Sequence, residues 1–151
     1  MLKRFADVLF ARPQQAEEAP PDRVPIATCV ILIEAACSDD EFSDAEREHI
    51  LNVLVSRFGL SHAEALDLMH EALEAREKSS DLWHFTHEIN TAYTPAEKVE
   101  IMEEVWRIFY SDGVLGGYED HLAHKLQDLL NLNRRQLIDA KMRVLKEIRG
   151  T

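Results

Sequence analysis

Two short acidic stretches, seventy-three residues apart, hold the side chains best suited to chemistry in this 151-residue chain. The first reads Ser38-Asp39-Asp40-Glu41-Phe42-Ser43-Asp44-Ala45-Glu46, and the second reads Ser111-Asp112-Gly113-Val114-Leu115-Gly116-Gly117-Tyr118-Glu119. Each opens on Ser-Asp, carries an apolar residue at Phe42 or Leu115, and closes on a glutamate seven residues after its aspartate. Carboxylate oxygens in this density suit a hard divalent cation, Ca²⁺ or Mg²⁺ ahead of Zn²⁺. The candidate ligands are Asp39, Asp40, Glu41, Glu46, Asp112 and Glu119, and they would converge if a pseudo-two-fold axis relates the two stretches. The same residues also have a purely structural reading. Ser43-x-x-Glu46 is a capping box, in which Glu46 reaches back to the Ser43 amide, and Glu119 can do the same beneath Gly116. Asp112-Gly113 is an ordinary turn pair. The partial positive charge of a helix N-terminus favours such acids with no metal present and opposes a cation nearby. Neither stretch has the ligand order of an EF-hand loop. The sequence leaves both readings standing.

Other chemistries find less support. Among the seven histidines, His84-x-x-His87 and His121-x-x-His124 each place two imidazoles on one helix face, and Glu46-x-x-His49 is a single Glu-x-x-His. A ferritin-like di-metal bundle requires two such motifs with further inward glutamates on two other helices. Cys29 and Cys37 lie eight residues apart, outside zinc or redox spacing, and read as thiols in a reducing cytoplasm. No P-loop, dinucleotide fingerprint or nucleophile elbow occurs, so the expectation is a protein that is not an enzyme. A formal charge of −11 opposes binding to nucleic acid, which demands a cationic footprint.

The elements that must position these acids are helical. Only 5 glycines and 5 prolines interrupt a chain of helix formers, and no β-alternation competes. Leu2, Phe5, Leu9 and Phe10 share one face of a short N-terminal helix, followed by a Pro- and Glu-rich linker, so that residues 1–23 stand apart from a domain over 24–151. That first helix either docks on the domain or lies on a membrane surface or a partner. The segment from Val24 carries Ile26, Val30, Ile33 and Cys37 as a buried stripe. Ser43, Ser61, Thr94 and Asn133 each stand three residues before Glu or Gln and open further helices, and Ser80 precedes a shorter one with Leu82, Phe85 and Ile89 inward. The helix from Pro95 is apolar on more than one face and is expected at the centre, with Trp83, Trp106 and Tyr110 as packing residues. The last helix turns Leu137, Lys141, Val144, Leu145 and Ile148 to one side and is rich in Lys and Arg. Its charge either faces solvent or complements an acidic surface, within the molecule or in self-association. The expected fold is all-α, a compact bundle of about seven helices containing two pseudo-repeated helix-loop-helix units. With no apolar run long enough to span a bilayer, the protein is expected to be soluble.

The two acidic elbows, Phe58-Gly59-Leu60 closing the helix after the first, and the later series Phe85-Thr86-His87-Glu88-Ile89-Asn90, Tyr93-Thr94-Pro95, Glu97-Lys98, Trp106, Tyr110-Ser111-Asp112-Gly113 and Ala140-Lys141 resemble the TerB family of tellurite-resistance-associated proteins, in its stand-alone branch. The resemblance spans about residues 24–149 and departs at Asp40, where the family's first elbow usually has Gly. It implies a TerB-like helical fold, a divalent cation at the elbows and a link to tellurite or other chemical stress. Asp39, Glu46, Asp112 and Glu119 inherit the proposed site by motif, while Asp40 and Glu41 are added by this sequence. Protein partners in a stress-response complex, homodimerisation, a cytoplasmic location and at most peripheral contact with membrane complete the expectation.

Overall fold

The computed structural model describes residues 23–37, 42–111 and 117–150. The short helix and most of the linker expected before residue 24 lie outside them. The described residues form seven α-helices and no strand: α1 Arg23–Ala36, α2 Asp44–Phe58, α3 His62–Lys78, α4 Trp83–Ala92, α5 Pro95–Phe109, α6 Gly117–Leu129 and α7 Arg134–Arg149.

Four of these helices start where a capping box fixes the start. Ser43, Ser61, Thr94 and Asn133 each accept the N3 amide on the side chain, and the N3 Glu or Gln accepts the cap's own amide. Pro95 occupies the first turn of α5, where its missing N–H has no intrahelical acceptor to satisfy. Gly59 ends α2 at φ 65°, a left-handed conformation that residues with a Cβ rarely adopt. α4 follows Ser80 with Leu82, Phe85 and Ile89 buried; Leu82 is the cap residue, and Asp81 accepts the Trp83 amide at 2.9 Å.

The centre of the bundle is α1. Ten of its fourteen residues are buried, so the single stripe expected from Ile26, Val30, Ile33 and Cys37 is replaced by burial nearly all round. The physical reason is that α2, α3, α4 and α5 all pack on α1, which requires an apolar surface in every direction. α5, expected at the centre, instead lies between α1 and α7, with Trp106 and Phe109 among its largest buried side chains. Two further expectations are corrected. Trp83 is 56% exposed, and on α7 the buried line is Leu137, Ala140 and Val144, with Ile148 left 53% exposed.

Polar bonds between helices define the two ends of the bundle. Arg23 at the start of α1 pairs with Glu88 in the second half of α4 at 3.1 Å. Asn90 donates to the Leu129 carbonyl at the end of α6 at 2.8 Å and accepts from Lys98 at the start of α5 at 3.1 Å. The start of α1, the ends of α4 and α6, and the start of α5 therefore share one end, where α7 also begins. α2 runs antiparallel to α5: His49 lies 3.2 Å from Glu104, while Arg57 donates to Glu100 at 2.9 Å and to the Glu97 carbonyl at 3.3 Å. The start of α2 is thus beside the end of α5, at the opposite end.

Candidate functional site

That opposite end is where both acidic stretches are attached. The first lies between the end of α1 and the start of α2, and the second between the end of α5 and the start of α6. Arg76, near the end of α3, is bonded to the flank of the first stretch. Its Nε donates to Glu34 at 2.8 Å, one turn before the first stretch. Partial burial pulls the Arg76 guanidinium's pKa down, but the Glu34 hydrogen bond and the charges of Glu34, Cys37 and Tyr118 outweigh it and raise that pKa. Cys37 immediately precedes the first stretch and Tyr118 lies within the second.

Asp39, Asp40 and Glu41 of the first stretch, and Asp112 of the second, lie outside the described residues. Glu46 and Glu119 are described, each half-buried in the first turn of its helix, α2 and α6. Glu46 Oε1 accepts the Ser43 amide at 2.9 Å, and the Ser43 hydroxyl accepts the Glu46 amide at 3.1 Å. This is the bonding that Glu64, Glu97 and Gln136 make at helices with no acidic elbow. Among the described residues, no group of three or more His, Cys, Asp or Glu is arranged to hold a metal ion. A cation at this end would therefore depend on the carboxylates of the stretches themselves, with Glu46 and Glu119 at their margins.

Four of the seven histidines have neighbours outside the six candidate acids. His49, three residues after Glu46, turns to Glu104 on α5 rather than joining Glu46 in a shared ligand set. His87 stacks on Trp83 with ring centroids 4.6 Å apart, and His84 lies 3.8 Å from Glu88. His124 Nδ1 is 2.9 Å from the Asp120 carbonyl oxygen. Cys29 is enclosed in α1, and burial pushes its thiol up to about 12, which removes it from nucleophilic chemistry near neutral pH.

Spacing along the chain gave no sign of the charged network beside the elbow end. Arg107 on α5 grips Glu147 on α7 through two bonds of 2.8 and 2.9 Å and reaches Glu104 at 3.0 Å. Glu103 takes Arg143 from α7. Glu104 is held below the usual carboxylate range: partial burial raises its pKa, but bonds and charge from His49 and Arg107 more than offset this. Glu147 is lowered chiefly by its hydrogen bond to Arg107. Part of α7's charge is therefore matched within the molecule, by α5. Which acids meet these bases depends on the parallel packing of α5 and α7, which residue spacing does not show.

The helical domain matches the family model described as tellurite resistance protein TerB over residues 25–142. No curated protein and no solved structure matches the chain.

Proposed function

Because the chain belongs to the TerB family, we propose that it is a non-enzymatic protein that binds or senses a divalent cation at its acidic elbows and engages protein partners in a metal, tellurite or chemical stress response. The observation that supports this reading is the attachment of both acidic stretches to one end of the bundle. Carboxylates delivered from two interhelical segments to one end can share an ion that neither segment would hold alone. Asp39 and Asp112 would be the principal ligands, with Asp40, Glu41, Glu46 and Glu119 around them. The oxygen-rich set suits Ca²⁺ or Mg²⁺ better than Zn²⁺. Occupancy would couple the α1–α2 and α5–α6 segments, giving a partner a different end surface with and without the ion.

A second reading is favoured by one specific observation. The Glu46 carboxylate is already engaged in a capping box like those of three other helices. On that reading the acids are structural, and the protein is an interaction or homodimerisation module.

Thermal unfolding of chelator-stripped protein separates the two. A ligand that binds only the native state stabilises it by about 2.7 kcal/mol at 100 times its dissociation constant. The cation reading predicts a rise in melting temperature with Ca²⁺ or Mg²⁺ that disappears in Asp39→Asn/Asp112→Asn. Equal melting of parent and variant with every ion tested would leave the structural module as the function.

A further inference from the structure

A partly open cleft of about 120 Å³ lies where the end of α1, the end of α3, the α3–α4 connection and α6 meet. Two acids, Glu34 and Asp81, and two bases, Arg76 and Lys125, line it. The acids are already engaged. Glu34 accepts from Arg76 Nε at 2.8 Å, and Asp81 Oδ1 accepts the Trp83 amide at 2.9 Å. The donors are not used up. Among the described residues, Arg76 Nη1 and Nη2, the Lys125 ammonium and the Ser80 hydroxyl have no hydrogen-bond partner. Glu34 also orients the guanidinium, because a bond at Nε leaves the two Nη atoms as a fixed planar fork. The α3–α4 connection is held in turn by the Ser79 hydroxyl, which donates to the Asp81 carbonyl at 3.0 Å. Leu82 and Phe85, both buried, supply an apolar wall.

We propose that this cleft binds a small aliphatic carboxylate, its head on the Arg76 fork and Lys125 and its hydrocarbon body against Leu82 and Phe85. A planar fork matches the two oxygens of a carboxylate, and an ammonium adds a mobile point charge. A few convergent donors beside an apolar wall, between helices of a bundle, are the makings of a ligand pocket. Size agrees: a cavity of about 150 Å³ holds benzene, so a ligand of about six heavy atoms such as butyrate suits this one. A cation is disfavoured, since both carboxylates are committed and two bases stand beside them. The net charge of −11 repels anions at long range, so the ligand is held by short contacts rather than steered in. None of the six elbow acids takes part.

Ligand-observed NMR of butyrate with the chelator-stripped full chain tests this. A ligand of this size is expected to bind with a dissociation constant of about 1 mM. Butylamine, with the same body and a cationic head, should not bind. Lys125→Gln removes an exposed charge and should weaken butyrate about threefold or more. Arg76→Lys keeps a charge to pair with Glu34 but loses the fork, and should weaken butyrate at least as much. Thermal melting shows whether each variant is folded, and Lys125→Gln decides if Arg76→Lys is not. Asp39→Asn/Asp112→Asn should bind butyrate as the parent does, whatever that variant does to a cation. No butyrate binding by the parent, or equal affinity in parent and Lys125→Gln, would overturn the proposal. So would butylamine binding as well as butyrate, which marks the apolar wall alone, or loss of butyrate in the Asp39/Asp112 variant, which places it at the elbows. Inorganic phosphate that displaces butyrate and binds more tightly would likewise overturn the carboxylate assignment.

Discussion

At Ser43 and Glu46 two demands fall on one carboxylate. Capping needs an acceptor aimed at the Ser43 amide, and either glutamate or glutamine supplies it. Cation ligation needs negative charge. Ser43→Ala should therefore destabilise the protein by about 1 kcal/mol, while Glu46→Gln should leave urea-unfolding stability nearly unchanged and weaken only ion binding. An equal stability loss in both variants would show that the Glu46 charge itself stabilises the α2 terminus. A second residue-scale test lies in the core. The Thr28 hydroxyl is buried with no hydrogen-bond partner among the described residues. Thr28→Val removes a desolvated donor without emptying the site, and is expected to be neutral or stabilising by up to about 1 kcal/mol in chemical denaturation. The capping role was readable from four residues of sequence because it is local. The unpartnered hydroxyl was not, since it depends on which neighbours surround α1.

At the level of the helices, start signals carried most of the fold. Ser43, Ser61, Thr94 and Asn133 cap as their spacing implies, because a capping box is decided within one turn. The ranking of helices by depth was less legible. α1 and α5 both contain apolar residues beyond one face, and only the packing of four helices around α1 makes it the centre. The α2–α5–α7 ion network was hidden for the same reason. It makes a definite prediction for acid. The Glu104 and Glu147 pKa values lie below the ordinary 4.5 in the folded state. Their stabilising contribution is therefore fully present above that value and declines as pH falls through the lowered pKa. Arg107→Ala removes the guanidinium that both carboxylates share. Urea midpoints followed from about pH 6 to about pH 3 should fall less steeply in this variant than in the parent. Parallel slopes would mean that the network does not set the acid sensitivity.

On the scale of the whole molecule, the relevant fact is that both acidic stretches are attached to one end of the bundle. Their likeness in sequence led to the idea of convergence, but the order of residues does not say which ends of seven helices meet. That follows from α2 running antiparallel to α5, which sets the start of α2 beside the end of α5. Six acids were legible as candidates. Of the two described, Glu46 caps its helix and Glu119 occupies the first turn of α6. No described helix is long and apolar enough to cross a membrane. The central claim is that Asp39 and Asp112 serve one ion. Calorimetric titration of Ca²⁺ or Mg²⁺ into chelator-stripped parent, Asp39→Asn, Asp112→Asn and the double variant tests it most directly. A shared site predicts one ion per chain, with each single variant losing nearly as much affinity as the double, because groups that act on one ligand are not additive. Binding that is absent in the parent, or losses that simply add, would contradict the account.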